Sequence, residues 1–164
     1  MLTVRELKEL TVRLDVEALA RQLGPFVFVQ HPLSASASKN AGLVTRALPN
    51  PGAPPRGVFD FEDLWVATLP PLARRDSFVL GRSPDCEFVI DEESVSKQHA
   101  QIDWNDGIAV LHDLRSANGV FVNGQKVAIH KLTDNDLITL GSARMFFMLV
   151  ATLRRRMGIT NSDR

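Results

Sequence analysis

Cysteine is almost absent from this chain, which has one in 164 residues, and neither sign of charge is in excess. Cys86 on its own can form no internal disulfide and no cysteine-based zinc site. Lys plus Arg and Asp plus Glu each number 19, so the formal net charge is zero and no global field draws in nucleic acid or an anionic membrane. The longest uninterrupted apolar run, Met145–Ala151, falls far short of the roughly 20 residues that cross a bilayer. Arg5, Glu6, Lys8 and Glu9 sit where a secretory signal needs an uncharged apolar stretch. These absences predict a cytoplasmic protein that takes neither nucleic acid nor membrane as a partner.

Catalytic signatures are missing as well. The sequence has no P-loop, no G-x-G-x-x-G and no G-x-S-x-G. His31, His99, His112 and His130 are scattered without metal-ligand spacing, and Asp91-Glu92-Glu93 lacks the alternating oxygens and Gly of an EF-hand loop. Ser96, His99 and Asp113 supply the residue types of a hydrolytic triad, but no nucleophile elbow carries the Ser. No enzyme activity, cofactor or metal is expected.

What is present falls into four stretches. Residues 1–31 read as a helical N-terminal segment. Thr3 and Glu6 have capping-box spacing, and Leu7, Leu10 and Leu14 recur as one helical face. Asp15 can cap a second helix with Ala18, Leu19 and Leu23 turned inward, ended by Gly24-Pro25. Phe26–Val29 is a short strand-like piece. Residues 32–57 read as a flexible linker, since five of the nine prolines and the run Ser34–Ser38 fall between Pro32 and Pro55. Thr45 within it is a candidate for phosphorylation and fold-back. Residues 58–152 form the next stretch, and from Leu64 to about Val150 the pattern switches to period two. Cys86, Phe88 and Ile90 fall on one side, as do Ile102 with Trp104, Ile108 with Val110, Val120 with Val122, Val127 with Ile129, and Met145 with Phe147 and Leu149. Asn105-Asp106-Gly107, Asn118-Gly119, Asn123-Gly124 and Asp134-Asn135-Asp136 supply turns between them. Short strands at this spacing predict an all-β sandwich or barrel. Residues 153–164 read as a basic tail or a short helix.

Polar groups collect where these strands end. Gly81-Arg82 closes one run, Ser96-Lys97-Gln98-His99 opens another, and Ser116-Ala117-Asn118-Gly119 leads into Val120-Phe121-Val122-Asn123-Gly124. An Arg, a Lys and a Ser hydroxyl brought together can hold a dianionic phosphate, and an Asn beside them can bond the backbone of an extended peptide.

The order G-R, then S-x-x-H with its Ser fourteen residues after the Arg, then N-G and V-N-G, resembles the forkhead-associated (FHA) domain family. The resemblance runs from about Leu64 to about Val150. It implies an FHA-like sandwich that binds phosphothreonine peptides through loops at one end. Arg82, Ser96 and Lys97 then stand where the family contacts phosphate. Asn118 stands where it bonds the peptide main chain, and His99 where a His braces the loops from behind. Gly81, Gly119, Asn123 and Gly124 match turn-shaping positions. One departure is Ala117, where a hydroxyl residue often adds a phosphate contact; Ser116 or Arg115 is the candidate replacement. The implied partner is a phosphothreonine-containing protein, a Ser/Thr kinase or its substrate. A phosphate-independent scaffold, docking through the sandwich or the N-terminal helices, is the competing expectation, favoured by Ala117 and the amphipathic stretch Leu7–Leu23.

Overall fold

A computed structural model of the chain describes residues 2–31, 61–68 and 76–158. The expected linker, 32–57, and Thr45 within it lie outside the described residues. The chain opens with a two-residue strand, β1 (Leu2–Thr3), and two short helices, α1 (Val4–Thr11) and α2 (Val16–Leu23). The capping box forms as the spacing requires: Thr3 Oγ1 accepts from the Glu6 N–H at 3.2 Å, and the Glu6 carboxylate accepts from the Thr3 N–H at 2.8 Å. The Thr3 backbone N–H and then the Thr3 hydroxyl, both donating to the Glu6 carboxylate, hold that carboxyl below its ordinary pKa. Asp15 caps α2 through the Ala18 N–H at 2.7 Å. Gly24, at φ +85°, ends α2 and donates to the Ala20 carbonyl.

The inner stripe of α1 is Val4, Leu7 and Thr11, not Leu7, Leu10 and Leu14. Leu10 is 68% exposed, because the helix stops at Thr11 and its buried face is centred on Leu7. In α2 Leu19 and Leu23 are buried as expected, whereas Ala18 is only partly buried.

The strands that follow are β2 (Phe26–Gln30), β3 (Trp65–Thr68), β4 (Ser77–Gly81), β5 (Phe88–Val89), β6 (Ala100–Asn105) and β7 (Ile108–Asp113). Then come β8 (Val120–Val122), β9 (Gln125–Val127), β10 (Ile129–Leu132), β11 (Leu137–Leu140) and β12 (Ala143–Leu149), before a last helix, α3 (Val150–Arg156). One sheet has seven strands in the order β1-β3-β2-β12-β11-β8-β9, and the other has five in the order β10-β7-β6-β4-β5. Pairing is antiparallel except for β4 with β5. Of the all-β sandwich or barrel read from the alternation, the fold is the sandwich, as the resemblance implies. Among the described residues, no helix is long and apolar enough to cross a membrane.

β2 is where the architecture departs most from the sequence reading. It lies inside the larger sheet, antiparallel to β12 (Phe26 opposite Leu149) and to β3 (Val29 opposite Val66). Alternation sends Phe26 and Phe28 into the core between the sheets, and Val27 and Val29 into a second core beneath the helices. β12 divides likewise, with Met145 and Phe147 facing one core and Phe146 and Met148 the other. A strand covered on both faces needs no polar residues, which is why both segments read as unbroken apolar runs. The fold therefore has three layers, and α1, α2 and α3 roof the larger sheet. α3 begins at Val150, before the expected tail, and the Arg154 side chain is buried with its Nε–H donating to the Leu14 carbonyl.

Two faces of the alternation come out reversed. Ala109 and Leu111 are buried on β7, while Ile108 is 41% exposed. The run Ile108–Leu111 is apolar at every position, so its inward face is set by register, with Leu111 opposite the buried Ile102. Ile129 is 66% exposed because the chain crosses from one sheet to the other between β9 and β10. Asp106-Gly107 and Asn123-Gly124 are two-residue hairpin turns with positive φ at all four positions. Asn118-Gly119 is not a hairpin; it lies in the loop between β7 and β8, which belong to different sheets.

Candidate functional site

Three loops meet at one edge of the sandwich: the residues after β4, those before β6, and those between β7 and β8. Backbone bonds hold the first to the second, from the Arg82 N–H to the Ser96 carbonyl and from the Ser83 N–H to the Lys97 carbonyl, each at 3.0 Å. Gly81 makes that approach possible. A Cβ there would lie 2.2 Å from the Lys97 carbonyl oxygen and 2.8 Å from its carbon, both backbone atoms that cannot swing aside. Gly81→Ala is therefore expected to lower stability by about 1–3 kcal/mol or more, the range for forcing an atom into packed surroundings. Thermal unfolding checks this; an unchanged midpoint would show the loop free to give.

His99 explains the S-x-x-H spacing. Its ring is fully buried, and Nδ1 accepts from the Ser96 backbone N–H at 2.9 Å, closing the turn three residues back. With Nδ1 accepting, Nε2 carries the ring proton and donates to the Gly119 carbonyl at 2.9 Å. The ring thus joins the second loop to the third. The hydrolytic-triad geometry is absent: the imidazole takes the Ser96 backbone, not its hydroxyl, and the Asp113 carboxylate takes the Ser116 N–H at 2.9 Å.

Ser96 Oγ faces the third loop and accepts from the Ala117 N–H at 3.0 Å. Its own proton has no acceptor among the described residues. Arg82 is exposed, and its Nε–H donates to the Val95 carbonyl at 3.3 Å, leaving both terminal nitrogens toward solvent. Lys97 and Arg115 are also exposed, and Arg115 holds a left-handed φ of +57°. Among the described residues, no carboxylate comes within ion-pair distance of Arg82, Lys97 or Arg115. Asn118 is exposed, and its Nδ2 donates to the Ser94 carbonyl at 2.7 Å.

Ser116 is placed differently from the others. Its hydroxyl is shielded from solvent and has no partner among the described residues. Asn123 and Gly124 stand away from the three loops, in the β8–β9 turn. The Asn123 amide bonds the Asp136 carboxylate at 2.8 Å and takes the Leu137 N–H at 3.0 Å, tying that hairpin to β11. Gly119, at φ +80°, sits against the Lys126 side chain. Cys86 lies behind the second loop with its thiol donating to the Lys97 carbonyl at 3.1 Å, and burial pushes its pKa up.

Sequence reasoning missed Gly141 and Ser142 and the contact they make with Ser94. Ser94 Oγ accepts from the Ser142 N–H at 2.8 Å and lies 2.8 Å from the Ser142 hydroxyl. The only sequence signal for this contact is the Gly141-Ser142 dipeptide between two apolar runs, which marks a turn but not its neighbour.

Comparison with known proteins bears on the same residues. The FHA domain family model matches residues 78–141. FhaA of Mycobacterium tuberculosis, an FHA domain-containing protein, is 38% identical over 72 residues, covering 44% of this chain and 14% of FhaA. The ABC transporter ATP-binding/permease protein Rv1747 of the same organism is 40% identical over 88 residues, 54% of this chain and 10% of the transporter. The similarity thus spans only a small part of either relative. The crystal structure of the FHA domain of CT664 from Chlamydia trachomatis has the same fold, with a TM-score of 0.50 and 22% identity over 76% of this chain and 97% of that one. The loops carrying Arg82, Ser96, His99 and Asn118 lie within the matched span, and residues 78–141 of this chain match the FHA domain family.

Proposed function

We propose that this chain is a phosphothreonine-dependent interaction module of cytoplasmic Ser/Thr kinase signalling, a binding protein rather than an enzyme. Its partner is a phosphothreonine-containing protein, a kinase or a kinase substrate. The observation that carries this reading is the unused hydrogen-bonding capacity at the loop junction. Arg82 keeps both terminal nitrogens, Ser96 keeps its hydroxyl proton, and Lys97, the next residue along, is exposed. Those donors suit a group with three acceptor oxygens and about −1.5 to −2 charge near neutral pH. The planar Arg fork can meet two of the oxygens at once.

Asn118 takes the role of gripping the peptide main chain. One of its N–H groups goes to Ser94, leaving the other N–H and the carbonyl oxygen as a donor–acceptor pair. Ala117 offers no hydroxyl, and the Ser116 hydroxyl is turned away from solvent, so Arg115 is the better candidate for an added phosphate contact. His99, Gly81 and Gly119 hold the loops together. Asn123 and Gly124 support the sheet behind them. The peptide-binding unit is the whole three-layered body.

The test is a titration of the full chain with a degenerate phosphothreonine peptide library and its unphosphorylated counterpart. Binding confined to the phosphorylated library is expected. Equal binding of both would reject phosphate recognition and favour docking through the N-terminal helices, where Leu10 and Val12 are 68% and 52% exposed.

A further inference from the structure

Asn118 is held by residues far from it in sequence. Its Nδ2 donates to the Ser94 carbonyl at 2.7 Å, across 24 positions. Ser94 is in turn fixed by the turn between β11 and β12, 48 positions after Ser94 itself. The Ser142 N–H donates to Ser94 Oγ at 2.8 Å, and the two hydroxyls lie 2.8 Å apart. Gly141, at φ +60°, presses its backbone against the same residue: a Cβ at 141 would fall 2.4 Å from the Ser94 carbonyl oxygen and 2.5 Å from its Oγ. The turn therefore meets the very oxygen that takes the Asn118 amide. The strands flanking the two loops are also joined, since Leu140 pairs with both Ala143 and Val120.

We propose that Ser94, Gly141 and Ser142 are positioning residues that set the orientation of the Asn118 amide before a peptide arrives. This rests on the phosphopeptide reading above. The side chain of an exposed Asn samples several rotamers, and ordering it on binding weakens affinity; a partner that fixes it beforehand removes that loss. None of the three needs to touch the peptide. Their effect on binding runs through Asn118.

Two measurements on the full chain test this. In the first, a phosphothreonine peptide selected from the degenerate library is titrated against wild type, Ser142→Ala, Asn118→Ala and the double variant. Ser142→Ala is expected to weaken binding about fivefold, the change brought by losing one neutral hydrogen bond. In the Asn118→Ala background the same substitution should have no further effect, because the group it positions is gone. A general loosening of the fold would weaken binding in both backgrounds, and that additive result would overturn the proposal. In the second, the side-chain amide resonances of Asn118 are followed by nitrogen–proton NMR without peptide. Ser142→Ala and Ser94→Ala should move them while leaving those of Asn123 in place, and unmoved Asn118 resonances would overturn the proposal. A library that yields no binding peptide rejects the phosphopeptide reading instead, and the peptide-free NMR result then decides the positioning role alone.

Discussion

Arg82→Ala is expected to leave a folded protein whose affinity for a phosphothreonine peptide falls by about 100-fold or more. The size follows from the hydrogen bonds that the guanidinium would make to the phosphate. A hydrogen bond to a charged group contributes about 1.5–3 kcal/mol, and the fork offers two. Removing both, at the lower bound for each, already exceeds a factor of about 100. The fold should be spared because Arg82 is exposed and its one side-chain bond among the described residues, to the Val95 carbonyl, is long at 3.3 Å. The backbone bond from Arg82 to Ser96, which closes the loop junction, survives truncation of the side chain. Arg82→Lys keeps the charge but loses the fork and should fall between the two. Calorimetric titration beside a thermal melt separates the outcomes. An Arg82→Ala protein that melts normally and binds as tightly as wild type would remove the guanidinium from the site.

Phe26→Ala is the substitution expected to damage the fold most. The ring is fully buried, with its centroid 4.9 Å from that of Phe147, 5.3 Å from Trp104 and 5.7 Å from Phe78. Phe147 is in the same sheet, whereas Trp104 and Phe78 belong to the opposite one, so this one side chain helps hold the two together. Emptying such a position costs about 3–5 kcal/mol, against a total stability of about 5–15 kcal/mol for an ordinary domain. The result should be a large drop in melting temperature. Leu10→Ala, on the exposed side of α1, should change it little. Because Phe26 precedes the FHA match by fifty-two positions, the same argument predicts that a fragment starting at residue 58 is unstable. Such a fragment melting like the full chain would show β2 to be dispensable.

The site was more legible in the sequence than the boundary of the fold. Arg82, Ser96, His99 and Asn118 are few, chemically distinct and spaced by short loops, so their order survives without knowledge of the tertiary structure. Spacing even has a local cause at Ser96 and His99, where the ring closes its own turn. β2 offered no such clue. Its apolar run says that both faces are covered, but its neighbours, β12 and β3, are set by pairing at long range. The contact of Ser94 with Gly141 and Ser142 was hidden for the same reason. Asn118-Gly119 and Asn123-Gly124 make the point within seven residues: one dipeptide joins paired strands and the other does not, and the letters are identical.

The pairing of Phe26 with Leu149 also bears on how the chain acquires its shape during synthesis. Translation delivers β2 early and β12 late, so the early segment emerges from the ribosome with Phe26 to Val29 uncovered on both sides. An apolar edge left waiting in this way is exposed to aggregation until its neighbour is made. Closing so long a stretch is also a slow kind of contact to form. Nascent chains stalled before residue 149 should therefore engage holding chaperones, whereas released full-length chains should not.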